Sequence, residues 1–201
     1  MTPGPAATVF LCGPRAGGNS DAAGLAFARG LREKGLAAQV VALRDERVTP
    51  CLGCGACLAP GHRCPLDTAG DAAEALFAHI RESPILAFAA PIYFYHVPAL
   101  FKAFIDRAQR HWAVRFAAGA GDVEPPALPE VRVLLAAGRP RGEKLFAGAL
   151  LTLKYFLWPF YRTLAEPCLF RGYDAPGDLA SDVAAVKQAA GYGRDAAHGA
   201  F

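Results

Sequence analysis

The 201-residue sequence has few of the features expected of a nucleic-acid-binding or secreted protein. It has 21 basic and 18 acidic residues, mixed along the chain, and therefore no basic stripe that would bind RNA or DNA. The opening residues M-T-P-G-P-A-A-T-V-F-L-C-G lack a charged start followed by a sufficient apolar stretch, so we predict no signal peptide and a cytoplasmic protein. In that compartment the cysteines would stay reduced and available as metal ligands or redox groups.

The longest apolar run is too short and too interrupted to predict a membrane span. It covers residues 145–161, carries Lys154 in its middle and contains Pro159. A buried or interfacial helix is therefore expected here. It would belong to the core or to a subunit interface of a homodimer or homotetramer, with an active-site wall or contact with a membrane surface as the alternatives.

Several catalytic signatures are also missing. The sequence contains neither G-x-G-x-x-G nor a Walker loop, and no convincing Ser/His/Asp or Cys/His triad. A hydrophobic content of 53% nevertheless allows one substantial core, and we predict a single domain over residues 1–201.

Apolar runs of strand length alternate with stretches of helical periodicity. Strands are predicted at residues 7–12, 38–43, 84–90, 131–137 and 167–172, and helices at 20–34, 68–82, 98–112, 143–164 and 179–190. This alternation predicts an α/β three-layer sandwich with a five-stranded parallel sheet, in the flavodoxin-like strand order 2-1-3-4-5. Such sheets bind ligands beyond the carboxyl ends of their strands, where the loops starting at Gly13, Pro91 and Gly138 would meet.

A cysteine-rich loop over residues 44–67 is the most informative segment. It reads C-L-G-C-G-A-C-L-A-P-G-H-R-C-P, and its thiols are Cys51, Cys54, Cys57 and Cys64. Three thiols spaced by two residues and a fourth nearby are typical of iron–sulfur ligation, although the last gap is longer than in bacterial ferredoxins. We predict a [4Fe-4S] cluster, with zinc, for which His62 is a further candidate ligand, or no metal as the alternatives. Cys12 and Cys168 lie in apolar strands and are expected in the core.

The loop G-P-R-A-G-G-N-S, residues 13–20, joins the first strand to the first helix. Its glycines would let the backbone approach an anion, and the helix N-terminus would present unpaired N–H groups. Arg15 and Asn19 would add a charge and an amide, and Ser20 is a natural N-cap. The loop is therefore a candidate phosphate site, or alternatively a glycine-rich turn before a capped helix.

This loop resembles the S-P-R-x-x-G-N-S signature of the NADPH-dependent FMN reductase family, with Gly13 in place of the usual serine. Two further stretches are similar to segments of that family: P-I-Y-F-Y-H-V-P-A-L-F-K-A-F-I-D-R at residues 91–107 and Y-D-A-P-G-D-L at 173–179. With the four cysteines, the combination resembles the iron–sulfur flavoprotein branch.

The resemblance implies a set of FMN-binding residues. The residues that would bind the phosphate are Arg15, Gly18, Asn19 and Ser20. Those that would lie along the flavin ring and the ribityl chain are Pro91, Ile92, Tyr93 and Phe94. Those that would face the pyrimidine edge are Ala137, Gly138 and Arg139. The arginines of G-R-P-R-G depart from the family's usual small residues, and would stabilise a reduced flavin, meet an anionic substrate or point to solvent.

Taken together, these features predict an FMN-dependent oxidoreductase that moves electrons from NAD(P)H or ferredoxin to a small acceptor such as a quinone or oxygen. The flavin carries the chemistry, so no catalytic side chain is required, although His96 would be able to assist or else to structure its loop. One alternative is a non-catalytic flavodoxin-like carrier or a thiol or zinc redox sensor. Another is a reductase of free flavin, in which FMN binds loosely as a substrate. Lys102, Asp106 and Arg107 are expected on a solvated or interface face.

Overall fold

The computed structural model describes residues 6–119 and 129–198. Its sheet is built from parallel pairs in the order β2-β1-β3-β4-β5, with β6 also paired to β4. The strands are β1 (Ala7–Leu11), β2 (Ala38–Ala42), β3 (Ile85–Pro91), β4 (Glu130–Ala137), β5 (Thr163–Leu164) and β6 (Cys168–Arg171). The predicted fold class and strand order are confirmed.

The fifth strand position is divided between two short strands, both paired with β4. The β5 pair Thr163 and Leu164 lies beside Glu130 and Val131, and β6 lies beside the end of β4 from Leu134 onward. Pro167 falls between them and has no N–H to donate to the ladder, which explains the interruption. The strand predicted at 167–172 corresponds to β6.

Seven α-helices accompany the sheet in the described part of the chain. They are α1 (Asn19–Glu33), α2 (Ala73–Glu82), α3 (Ala99–Arg107), α4 (Gln109–Ala117), α5 (Ala147–Leu157), α6 (Asp178–Ser181) and α7 (Val183–His198). The helix predicted at 98–112 is two helices that meet at Ala108, and the helix predicted at 143–164 was too long. After α5 the chain forms a 3-10 turn, Trp158–Phe160, in which Pro159 ends the α-helical hydrogen-bonding pattern.

Two apolar clusters form the core, one on each face of the sheet. The strands supply alternate residues to them: Phe10 enters one cluster, whereas Val9 and Leu11 enter the other. Cys12 and Cys168 are buried in separate clusters, as predicted from their apolar surroundings. Burial raises the pKa of Cys168 to about 11, so this thiol is protonated at neutral pH.

Helices α1 and α7 cross at glycines. A Cβ atom at Gly30 would lie 2.0 Å from the carbonyl oxygen of Ala190, and one at Gly193 would lie 2.2 Å from that of Phe27. The backbones therefore approach as closely as these residues permit, and this contact fixes α1 on the sheet together with the loop that precedes it.

The apolar segment at 145–161 supplies one face of the core and one exposed face. Leu153, Phe156 and Leu157 are buried, whereas Leu151 and Tyr155 are largely exposed. No helix within residues 6–119 and 129–198 is long and apolar enough to cross a membrane. The structure thus agrees with the prediction of a core or interfacial helix over this segment.

Candidate functional site

The β1–α1 loop presents backbone donors at the carboxyl edge of the sheet. Gly18 precedes the first residue of α1 in an extended conformation, and no side chain caps the helix there. The N–H groups of Asn19 and Ser20 have no acceptor among the described residues. Free donors at a helix N-terminus favour an anion, so the loop has the properties predicted for a phosphate site.

The Asn19 side chain has a different task from the one predicted. Its Nδ2 donates to the carbonyl oxygens of Tyr173 and Ala175, each at 3.0 Å, and its Oδ1 accepts from the N–H of Leu179 at 3.1 Å. Asn19 therefore ties the C-terminal turn at 173–179 to the β1–α1 loop. This use of the side chain leaves the backbone N–H of Asn19 for a ligand.

A tight turn of aromatic residues follows β3. Tyr93 and His96 exchange backbone hydrogen bonds of 2.9 Å in both directions, and between them Phe94 and Tyr95 have φ angles of 49° and 65°. Two consecutive left-handed non-glycine residues are strained. The Phe94 side chain is fully exposed, so the turn presents a flat apolar ring at the edge of the sheet.

Helix α5 supports this turn from behind. The Nε2 atom of His96 lies 2.8 Å from the Thr152 hydroxyl, and a Cβ atom at Gly148 would lie 3.0 Å from the carbonyl oxygen of Tyr95. His96 is not among the residues that line the two cavities described next. Its observed contact is of the loop-structuring kind, and catalytic assistance by His96 stays a prediction.

Two adjoining cavities of about 210 Å³ each occupy the edge where the three loops meet. They share Ile92 and Gly138, so together they form one elongated cleft. All eleven residues predicted to bind a cofactor line this cleft. Arg15, Gly18, Asn19, Ser20, Pro91 and Tyr93 line the first cavity, Phe94, Ala137 and Arg139 line the second, and the two shared residues complete the set.

Gly138 allows the loop after β4 to approach the C-terminal turn closely. A Cβ atom there would lie 2.3 Å from Oδ1 of Asp174, which belongs to the C-terminal turn. Asp178 in turn accepts hydrogen bonds from the N–H groups of Asp174 and Ala175 and so fixes this turn. The resemblance indicated the turn, but no sequence pattern assigned Asp174 to the cleft wall.

Arg139 spans the second cavity. Its Nη1 donates to the Tyr95 hydroxyl at 2.8 Å, and its guanidinium lies 5.7 Å from the centre of the Tyr95 ring. One of the two arginines of G-R-P-R-G therefore faces the cleft and is held by the aromatic turn. A positive charge is fixed at the end predicted to face the pyrimidine edge of a flavin.

The four cysteines of the long loop line another cavity, also of about 210 Å³. Gly53 and Gly55 have φ angles of 63° and 73°, which let the loop turn between the thiols. The N–H of Gly53 donates to Sγ of Cys51 at 3.4 Å, a type of contact that tunes cluster sulfurs. Burial, and then the charges of the other three thiols, raise the pKa of Cys57.

This arrangement differs from a site for one metal ion. Within residues 6–119 and 129–198, no group of three or more His, Cys, Asp or Glu side chains is placed to hold a single ion. His62 is turned to the backbone, with Nδ1 2.9 Å from the carbonyl oxygen of Cys57. The four thiols line this cavity together, and thiolates are ligands both of iron–sulfur clusters and of zinc.

Arg107 holds both ends of the cysteine loop, and the prediction that it lies on a solvated or interface face was wrong. Its side chain is 1% exposed and donates to the carboxylates of Asp67 and Asp71 at 2.6 and 2.8 Å. It also donates to the Thr49 carbonyl at 3.0 Å. The charge is buried because two acidic residues and a carbonyl compensate it, a set of long-range partners that helical spacing does not reveal.

Lys102 and Asp106, also assigned to that face, do form a half-exposed ion pair at 2.6 Å on α3. Arg110 extends the buried network, since it contacts both Asp67 and Glu74 and lines the cysteine cavity. The cavity thus has a basic wall contributed by the junction of α3 and α4.

The parallel sheet and its loops define a flavodoxin-like protein with a cysteine-rich insertion after β2. Solved structures agree on this fold: an NAD(P)H:quinone oxidoreductase from Methanothermobacter marburgensis superposes with a TM-score of 0.70 at 20% identity, over 94% of each chain. An azoreductase from Bacillus anthracis gives 0.65 at 17% identity, over 94% of this chain and 99% of that one. A flavodoxin from an archaeon gives 0.55 at 12% identity, over 96% and 98% of the two chains.

Sequence comparison identifies the family. The profile of the NADPH-dependent FMN reductase family matches residues 6–123, and the chain belongs to that family. Among curated relatives, an iron-sulfur flavoprotein of Archaeoglobus fulgidus is 33% identical over 98 residues, 49% of this chain and 43% of the relative. One of Methanosarcina thermophila is 30% identical over 111 residues, 53% and 56% of the two chains. The matches span about half the length of these relatives.

Proposed function

We propose that this protein is an FMN-dependent oxidoreductase that takes electrons from NAD(P)H or ferredoxin and passes them to a small acceptor such as a quinone or oxygen. The observation that carries the proposal is the elongated cleft, lined by all eleven residues predicted to bind FMN. Membership of the NADPH-dependent FMN reductase family supports both the cofactor and the donor.

The two ends of the cleft differ in the way that FMN requires. Free N–H groups of Asn19 and Ser20 and the α1 dipole would receive the phosphate at one end. At the other end the exposed Phe94 ring, the Tyr95 ring and the Arg139 guanidinium would surround a flat heterocycle with a polar edge. Gly138 lies between the two ends and lines both cavities.

When bound, FMN supplies hydride and single-electron chemistry. The protein contributes orientation and charge: Arg139, held by Tyr95, would favour negative charge at the pyrimidine edge. The left-handed turn at Phe94 and Tyr95 keeps an aromatic surface at the open side, where a nicotinamide or an acceptor ring would approach. No acid–base side chain is needed for this role.

We propose further that Cys51, Cys54, Cys57 and Cys64 hold a [4Fe-4S] cluster. Their common cavity, the N–H···S contact to Cys51 and the basic wall at Arg107 and Arg110 support this assignment. A cluster exchanges single electrons, which suits transfer to a ferredoxin or to another one-electron partner. The iron–sulfur flavoproteins among the relatives support the same cofactor pair.

A titration of the apoprotein with FMN, followed by turnover with NADH and NADPH, tests the oxidoreductase. We expect stoichiometric FMN binding and oxidation of at least one nicotinamide when a quinone is supplied. Gly138→Ala should lower FMN affinity at least tenfold, because its Cβ meets Asp174. Gly70→Ala is the control, because Gly70 is exposed, has no positive φ, and its Cβ would meet only the end of the Arg47 side chain at 3.7 Å. Absence of FMN binding by the wild type would refute the proposal.

A non-catalytic carrier or thiol redox sensor is the second candidate, favoured by the exposure of Cys51 and Cys54. It predicts bound FMN without nicotinamide turnover, or thiols that oxidise reversibly without iron. The turnover and metal analyses separate it from the oxidoreductase.

We also propose a homodimer or homotetramer. A groove of about 520 Å³ lies between α5 and the α3–α4 pair and exposes Trp112, Leu151 and Tyr155. Apolar surface of this kind commonly marks subunit contacts. Light scattering coupled to size exclusion tests this proposal. A wild-type monomer, or an oligomer that Leu151→Glu leaves intact, would contradict it.

A further inference from the structure

A buried ion pair lies directly beneath the β1–α1 loop. Asp21, the third residue of α1, is 1% exposed, and its Oδ2 is 3.0 Å from Nη1 of Arg44, which follows β2. Neither residue was singled out in the sequence, and neither lines the cleft. The pair joins the first helix to the second strand under the proposed phosphate site.

Both partners also bind the loop itself. The N–H of Gly17 donates to the same Oδ2 of Asp21 at 3.0 Å, and Nη1 of Arg44 donates to the carbonyl oxygen of Gly13 at 3.4 Å. The ion pair therefore holds the loop at its first residue and again at Gly17, one residue before the helix cap. Gly17 has a φ of 68°, so the loop reverses direction at the point that Asp21 fixes.

This arrangement is costly for the fold alone. Oδ1 of Asp21 has no hydrogen-bond partner in the described part of the chain. Burial raises the pKa of Asp21, while the Arg44 guanidinium acts to lower it. Buried ion pairs commonly stabilise a protein no better than apolar residues of similar volume. The negative charge of Asp21 would also repel a phosphate bound above it. Its presence there therefore calls for a positioning role that outweighs this repulsion.

We propose that Asp21 and Arg44 are positioning residues that preform the loop for the phosphate group of a flavin nucleotide. The inference rests on the proposed function, because it assumes that FMN binds in this cleft. Asp21 accepts a hydrogen bond from the Gly17 N–H, and Arg44 donates one to the Gly13 carbonyl, so these two backbone groups face inward. The N–H groups of Asn19 and Ser20 then face the ligand, and binding does not have to order the loop.

Affinities for FMN and riboflavin, measured on the same apoprotein, test the proposal. The two ligands share the ring and ribityl chain and differ in the phosphate. Asp21→Asn and Arg44→Met should each raise the Kd for FMN at least tenfold and change that for riboflavin by less than twofold. The double variant should lose no more than the worse single variant, since both act through one loop conformation. Inorganic phosphate should compete with FMN in the wild type more strongly than in either variant.

The controls lie on the exposed ion pair of the same helix, Arg29 and Glu33. Arg29→Met and Glu33→Gln should leave both affinities unchanged. Arg44→Lys keeps a positive charge but loses the planar guanidinium whose Nη1 contacts both Asp21 and Gly13, so it should give an intermediate FMN affinity even if Arg44→Met folds poorly.

Equal weakening of FMN and riboflavin would show that the pair merely stabilises the fold and would overturn the proposal. Unchanged FMN affinity in Asp21→Asn and Arg44→Lys would overturn it as well, while leaving the FMN site intact. A wild type that binds neither flavin would instead overturn the proposed function and this inference with it. The two failures are therefore distinguishable.

Discussion

Arg107 and Asp71 form a buried ion pair with a separation of 2.8 Å between Nη1 and Oδ2. Asp71 also accepts from the N–H groups of Thr49 and Ala73 at 2.8 and 3.0 Å. Burial acts to raise the pKa of Asp71, but these two backbone donors and then Arg107 outweigh it, and the pKa is lowered. The entry of the cysteine loop, the start of α2 and the end of α3 are thereby joined at one carboxylate.

We call the ion pairs of Arg107 with Asp67 and Asp71 the clamp. Its removal should disorder the cysteine loop and leave FMN binding in the cleft unchanged. Because Arg107 contacts residues on both sides of the cysteines, Asp67→Asn and Arg107→Met should at least halve the iron bound per chain. FMN content should stay unchanged, because substitutions at distant sites without shared partners act independently. Iron and flavin assays on the same samples provide the measurement.

The matched control for Arg107 is Lys102→Met on the same helix. Its partner Asp106 is half exposed, so the loss should be small for both iron and stability. Breaking a buried pair by removing one partner costs about 3–5 kcal/mol, so Arg107→Met should also unfold at lower denaturant concentration. Full iron retention in Asp67→Asn and Arg107→Met would show that the clamp does not position the thiols.

Substitution of the cysteines should separate the two cofactors. Cys54→Ala and Cys57→Ala remove thiols from the shared cavity and should abolish iron binding while FMN stays. Cys168→Ala is the control, because this thiol is buried in the core and does not line the cysteine cavity. Iron that persists in the Cys54 and Cys57 variants would exclude these thiols as its ligands.

The strained aromatic turn predicts opposite effects on stability and on binding. Phe94 has a φ of 49° and a fully exposed side chain, so Phe94→Gly removes strain and loses no core packing. We expect the free energy of unfolding of the apoprotein to rise by about 1 kcal/mol, the typical cost of a left-handed residue. FMN affinity should fall, because the ring proposed to contact the flavin is gone.

Phe116→Ala is the control for that experiment. Phe116 is also an exposed aromatic residue, but it lies on α4 and does not line the cleft. Its substitution should leave FMN affinity unchanged. If Phe94→Gly binds FMN as the wild type does, the turn is not part of the flavin site.

His111 predicts a pH dependence of stability. It packs against the rings of Phe77 and Phe160, and burial lowers its pKa to about 4, although the nearby Glu74 acts to raise it. In the unfolded chain this histidine has a pKa of about 6.5, so between about pH 6.5 and pH 4 the unfolded chain binds a proton that the folded chain does not bind. Stability should therefore be complete above pH about 6.5 and decrease as the pH falls towards about 4, by up to about 3 kcal/mol.

Denaturant unfolding at pH 7 and pH 5 measures this effect. His111→Phe keeps an aromatic ring beside Phe77 and removes the proton-binding group, so its loss of stability between the two pH values should be smaller than that of the wild type. His198→Gln, at the exposed end of α7, should leave the difference unchanged. Equal pH dependence in wild type and His111→Phe would contradict the assignment.

The sequence predicted the parallel sheet from the alternation of apolar and helical periodicity, and the residues of the cleft from the resemblance of three segments to the FMN reductase family. Tyr93 and Gly138 follow buried parallel strands, and the carboxyl ends of such strands meet at one edge. It was insufficient for contacts that join distant segments. Arg107 reads as one member of a charged helix face until Asp67 and Asp71 are placed beside it.

Asp21 and Arg44 show the same limit within the site. An acidic residue such as Asp21 in the first turn of a helix is common and indicates no special role. Its partner Arg44 lies 23 positions further along the chain, so local sequence does not reveal the pair. The division of the predicted helix at 98–112 into α3 and α4 was not visible either, since its apolar pattern continues across Ala108. In both cases the contact or the helix boundary is set by tertiary packing, which the local sequence pattern does not specify.

The most direct test of the central claim is to purify the protein anaerobically and record its visible spectrum before and after dithionite. Flavin, iron, sulfide and zinc should be assayed on the same sample. We expect one FMN per chain and a broad absorption that bleaches on reduction, with about four irons and four sulfides as in a cubane cluster. A colourless protein that also fails to bind added FMN would contradict it.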